Sequence, residues 1–186
     1  MDRRQKKTRR AIFSAFTDLL QTKRYSDITV GEIIERADVG RATFYSHFET
    51  KDYLLKELCR ELFCHVFDSL DGNISGHSHV FACESDEDIF LHLLRHLEKN
   101  DNGISTLLIS DNDGIFTEYF KRELTCLVKG RNIVTESAVN KDIPEDFTAN
   151  HISASFVETV RWWFSKGRNE KAETVHGYFL AVLGIG

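Results

Sequence analysis

The stretch TVGEIIERADVGRATFYSHFETKDYLL, Thr29 to Leu55, decides the fold. Thr29 followed by Glu32 is a capping box, in which the threonine oxygen accepts the N3 amide and the glutamate reaches back to the cap amide. A helix therefore starts here, with Ile33, Ile34 and Ala37 as its apolar face. It breaks at Asp38-Val39-Gly40, because Asp tolerates a left-handed backbone and Gly carries no penalty for one. A second helix over about 41 to 48 places Phe44 and Phe48 one turn apart facing inward, so Ala42, Thr43, Tyr45 and Ser46 face outward.

That outward face is small, hydroxylic and aromatic, with cations beside it. Such a face is poorly suited to burial and well suited to a DNA major groove, where arginine reads guanine, small side chains touch thymine methyls and hydroxyls and lysines hold phosphates. The residues Ala37, Val39, Arg41, Thr43-Phe44-Tyr45, His47-Phe48, Lys51 and Leu54 resemble the DNA-binding signature of the TetR family of one-component transcriptional regulators. With the preceding helix the resemblance covers roughly the first sixty residues. Two positions depart from the family pattern: Asp38 stands where the family usually has Gly, and Gly40 where it has Ser or another capping residue. Gly costs a few tenths of a kcal/mol against Ser as an N-cap. From the motif and the resemblance together, Thr29, Arg41, Ala42, Thr43, Tyr45, Ser46, His47 and Lys51 are the expected DNA contacts, with Lys51 beside the phosphate backbone.

Working outward, the run Arg3-Arg4-Gln5-Lys6-Lys7-Thr8-Arg9-Arg10 holds six cations. Alone it is a frayed, solvated tail; ahead of a helix-turn-helix it is an arm for phosphates or the minor groove. A first helix over about 8 to 23 carries Ile12, Ala15, Phe16, Leu19 and Leu20 at helical spacing, and Tyr25 and Ile28 close a small core. Residues 1 to 60 hold 13 Lys and Arg against 9 Asp and Glu, while the whole chain of 186 residues has a net charge of −5. The basic end is therefore the polyanion-binding end.

Beyond Lys51, Tyr53, Leu54, Leu58, Leu62, Phe63, Val66 and Leu70 continue as one long helix, and composition shifts at 72 to 79. Ser85 with Asp88 is a second capping signature, opening a helix with Ile89, Phe90, Leu93, Leu94 and Leu97. Helices over 104 to 109 and 115 to 128 follow, then a loop over most of 130 to 146. A helix from about Glu145 ends at Gly167, and Asn169 caps a last one bearing Ala172, Val175, Phe179, Val182 and Leu183. Two final helices this apolar suggest a four-helix bundle with a symmetry mate. The resemblance implies the same dimer surface.

These readings give an all-α chain: a three-helix DNA-binding domain over 1–50 and a helical effector-binding and dimerisation domain over 51–186. Phe90, His92, Phe116, Tyr119, Phe120, Trp162 and Trp163 are candidates for an effector pocket, although most such aromatics belong to a core. His92 and His96 have the i, i+4 spacing of a metal pair, but no third ligand completes it, so they are taken as partly exposed structural histidines and no metal or cofactor is expected. Cys59, Cys64, Cys83 and Cys126 lack zinc spacing and lie in or beside apolar helical patterns, which suits reduced core thiols. No span long enough for a bilayer, no signal peptide and no catalytic motif appear, so a cytoplasmic non-enzyme is expected. The expected function is a dimeric repressor on an inverted-repeat operator, released by a small-molecule effector. The alternative is an activator or co-regulator whose C-terminal domain binds a protein partner.

Overall fold

The computed structural model describes residues 3–70, 88–99, 107–108, 114–130 and 143–184, with backbone alone for 64–70. Among them the regular structure is entirely helical: α1 (Arg3–Leu20), α2 (Val30–Arg36), α3 (Arg41–His47), α4 (Lys51–Leu70), α5 (Ile89–Lys99), α6 (Ile115–Gly130), α7 (Glu145–Ser165) and α8 (Ala172–Leu183), with a 3-10 turn at Tyr25–Asp27. The composition shift at 72 to 79, Ser85 and most of the 130–146 loop lie outside the described residues, as do Cys83, the side chain of Cys64 and most of 104–109; of the other cysteines Cys59 is buried, whereas Cys126 is exposed and not a core thiol.

The head is built on rings. Phe13 and Phe16 of α1, Ile33 of α2, and Phe44 and Phe48 around α3 are fully buried. Phe48 meets Phe13 edge-on with centroids 5.3 Å apart and lies 5.9 Å from Phe44. Such pairs add about 0.5–1.5 kcal/mol each beyond their burial. An ion pair between Arg36 and Asp18 at 3.1 Å ties α2 to α1. The basic N-terminus is not a frayed tail from Arg3 onward: α1 starts there, five residues before the periodicity suggested, because Arg, Gln and Lys are good helix formers once Ile12 to Leu20 anchor the helix.

The long helix α4 leaves the head and packs on α6, where Phe63 meets Phe120 at 5.0 Å and Phe120 lies 6.0 Å from Phe116. Helix α6 packs on α7, and α5 on α8. A second aromatic knot joins them: Phe90, Phe156 and Phe179 sit with centroids 4.8 to 5.3 Å apart. Phe179 thus belongs to the interior of its own protomer and not to a seam between copies. The large apolar groups that α7 and α8 leave outside are Phe147 (61% exposed) near the start of α7 and, toward its end and on α8, Trp162 (43%), Tyr178 (48%) and Val182 (83%).

Two helix starts differ from the sequence expectation. Asp88 is itself the cap of α5, its Oδ1 accepting the amides of Phe90 and Leu91 at 2.8 and 2.9 Å. At α8 the cap position is Lys171, with no side-chain bond of its own, and Asn169 does not serve. Glu98 from α5 accepts the Ala172 amide at 3.2 Å instead. Ahead of α8 the chain turns through Gly167 (φ +73) and Arg168 (φ +55). The left-handed cost at Arg168 is offset by its Nη1 donating to Leu97 O at 3.1 Å, closing the C-terminus of α5.

Candidate nucleic-acid interface

Helix α2 starts where the capping box requires. Thr29 is extended (φ −102, ψ 156), its Oγ1 accepts the Glu32 amide at 3.2 Å, and the Glu32 carboxylate accepts the Thr29 amide at 2.9 Å. The Thr29 hydroxyl also donates to Glu32 at 2.9 Å, so this exposed residue is engaged in the cap. The Lys23 ammonium beside Glu32, together with the Thr29 bonds, lowers its carboxyl from 4.5 to about 2.

The turn to α3 is made by Asp38, which takes the left-handed conformation (φ +51), while Gly40 is extended (φ −73, ψ 152) and stands as the N-cap without a side-chain bond. Helix α3 then has one buried residue, Phe44. Arg41, Ala42, Thr43, Tyr45 and Ser46 are all exposed, forming the outward face that helical spacing predicts. Tyr45 stands 46% exposed with its ring edge-on to Phe44 at 5.4 Å, so the phenol is held by a ring that is itself immobilised in the core. Ser46 donates to Thr43 O at 2.7 Å. Among the described residues Arg41 has no ion-pair partner, which leaves its guanidinium at the tip of the helix for another ligand. His47, in the last turn, is half-buried; burial and the nearby Arg9 charge push its imidazole below the ordinary histidine range.

Lys51 is placed differently from the phosphate-facing expectation. Its Nζ donates to Tyr25 O and Ile28 O, both at 2.8 Å, and lies 4.3 Å from the centre of the Tyr25 ring. Arg9 is a residue that sequence reasoning misassigned to the cationic arm. Its guanidinium lies over Phe13 and Phe48 at 4.9 and 5.0 Å and pairs with Glu57 at 2.7 Å and Glu61 at 3.4 Å on α4. The signal was available as two glutamates four apart on the inner side of α4. Arg3, Arg4, Lys6 and Lys7 remain exposed along the start of α1.

The pocket candidates do not converge. Phe116 and Phe120 belong to the α4–α6 contact, with Tyr119 half-buried beside them, and Phe90 belongs to the α5–α7–α8 knot. Trp163 is buried and its Nε1 donates to Glu170 O at 2.8 Å, whereas Trp162 lies on the surface, edge-on to Tyr178 at 6.2 Å. His92 and His96 are not partly exposed but buried, stacked 5.0 Å apart with their Nε2 atoms at 3.1 Å. One Nε2 must carry a proton and the other a lone pair at that distance. Among the described residues no group of three or more metal-ligating side chains exists, and no helix is long and apolar enough to cross a membrane.

A helix-turn-helix with an exposed second helix, carried on a long helix that enters a helical domain, defines a DNA-binding regulator. The family model of bacterial regulatory proteins of the tetR family matches residues 12–58, and a transcriptional regulator C-terminal region matches 84–183. A TetR transcriptional regulator from Streptococcus agalactiae is 41% identical, with a TM-score of 0.71 over 97% of this chain and 96% of that one. The dhaKLM operon transcriptional activator DhaS of Lactococcus lactis is 24% identical over 150 residues, 81% of this chain and 71% of that protein. A TetR-family regulator from Syntrophomonas wolfei shares the fold at 19% identity, with a TM-score of 0.67 over 94% and 92% of the two chains. The chain belongs to the TetR family of bacterial transcriptional regulators, and it is a DNA-binding transcriptional regulator.

Proposed function

We propose that the protein acts in the cytoplasm as a homodimeric repressor that grips an inverted-repeat operator through α3 of each subunit. The observation that carries this reading is the polarity of α3: Phe44 anchors it inward while Arg41, Ala42, Thr43, Tyr45 and Ser46 stand outward together. Arg41 reads a base edge, Ala42 and Thr43 offer methyls to thymine, and Tyr45 donates to a phosphate, while Thr29 and Ser46, whose hydroxyls already donate to Glu32 and to Thr43 O, flank the contact. The half-buried His47 closes the face. Trp162, Tyr178 and Val182 on α7 and α8 form the contact with the second copy, covering apolar side chains that one protomer leaves in water.

A small-molecule effector releases the repressor in this reading. Its support is the His92–His96 pair, a buried polar handle within the apolar interior. A second reading, control by a protein partner, is favoured by the aromatic knot of Phe90, Phe156 and Phe179, whose rings already fill one another's space. Footprinting on the DNA flanking the coding region separates the two. Loss of protection on adding the low-molecular-mass filtrate of a cell extract supports the effector; a response confined to the macromolecular fraction supports the partner. Protection of a single half-site would refute the dimeric mode.

A further inference from the structure

The cations of a DNA-binding head are ordinarily counted as phosphate ligands, and the ammonium of Lys51 stands at the first residue of α4, directly after the recognition helix. Its surroundings point elsewhere. An ammonium has three donors. Two of those of Lys51 end on Tyr25 O and Ile28 O at 2.8 Å, and the charge rests 4.3 Å from the Tyr25 ring centre. The neighbouring Asp52 accepts the Tyr25 hydroxyl, so consecutive residues of α4 hold this turn by its main chain and by its phenol. The held turn ends at Ile28, and the next residue, Thr29, is the cap from which α2 starts.

We propose that Lys51 is a positioning residue: with Asp52 it clasps the Tyr25–Ile28 turn onto the start of α4, fixing where α2 begins and so the angle at which α3 is presented to DNA. The proposal rests on the DNA-binding role of α3 and adds to it a tether on the turn that leads into α2. The head is joined to α4 covalently through Phe48–Thr50 and through Arg9 of α1 on Glu57 and Glu61, and neither of these ties holds the Tyr25–Ile28 turn, which the clasp does. Burial, which holds this ammonium below the ordinary lysine range, agrees with a group facing carbonyls more than solvent.

The test compares wild type, Lys51→Met and Lys51→Arg on two duplexes, the tightest one selected by the wild type and a random-sequence one, across a salt series. The clasp predicts that Lys51→Met keeps the wild-type affinity and salt slope on the random duplex. Its preference for the selected duplex should fall about tenfold or more, the size of one charge-assisted hydrogen bond, with most of it recovered in Lys51→Arg. A slope lowered by about 0.9 per subunit, with both duplexes weakened alike, would identify a phosphate ligand and overturn the proposal. So would unchanged binding to both duplexes by a folded Lys51→Met protein, which would leave Lys51 a purely structural group. Should Lys51→Met fail to fold, nitrogen-15 NMR of the wild-type ammonium decides. A hydrogen-bonded signal that persists when the selected duplex is added supports the clasp, and one displaced by DNA refutes it. A wild type that selects no sequence at all would sink the role of α3 and not the clasp, whose NMR signature in the free protein is independent of DNA.

Discussion

Arg41 and Glu32 show how two charges a few residues apart come to different work. Arg41 opens α3 at the end that meets base edges in this motif. Arg41→Ala should therefore relax base preference at one position of each half-site by about 1–3 kcal/mol of discrimination. Binding-site selection with the variant checks this; unchanged preferences with only lower affinity would move readout to Thr43, Tyr45 and Ala42. Glu32 serves the fold. Its folded carboxyl titrates at about 2, held there first by Lys23 and then by Thr29, against 4.5 ordinarily. A depressed acid contributes stability that is complete above its unfolded value and lost as pH falls from 4.5 toward about 2. Urea melts through that acid window should show the wild type losing more stability than Glu32→Gln, whose side chain cannot titrate. Equal losses would mean that the capping box carries no charge-dependent stability.

At the scale of elements, α8 is oriented by residues from other helices. Glu98 caps its first amide, His176 reaches Asp88 at 3.0 Å beneath α5, and Phe179 fills the knot with Phe90 and Phe156. Phe179→Ala should cost about 3–5 kcal/mol of protomer stability, as for a fully enclosed ring. The expected readout is a lower melting temperature that does not depend on protein concentration beyond the wild-type dependence. A variant that melts normally but sediments as a monomer would return Phe179 to the seam between copies.

For the whole molecule, the consequential surface is the one carrying Trp162, Tyr178 and Val182. Val182→Glu places a charge where two apolar faces are to meet, and an unpaired charge removed from water costs several kcal/mol. Analytical ultracentrifugation at micromolar concentration should find the wild type dimeric and Val182→Glu monomeric, with far-UV circular dichroism unchanged. A monomeric wild type would remove the dimer model and, with it, two-fold operator recognition.

The sequence by itself determined the head and the helical class. Capping boxes, turn residues and inward phenylalanines are local, and Thr29, Glu32, Asp38, Phe44 and Phe48 carry their instruction within a few residues of where it acts. Only the tertiary structure decided which charged and aromatic groups are already engaged. Arg9 turns inward to Glu57, Lys51 turns back to carbonyls 23 and 26 residues earlier, Glu98 caps a helix 74 residues away, and Trp163 is buried while its neighbour Trp162 stays exposed. The physical reason is that a long side chain or a helix end finds its partner by proximity in space, and periodicity along the chain specifies which face is apolar without specifying what that face will meet.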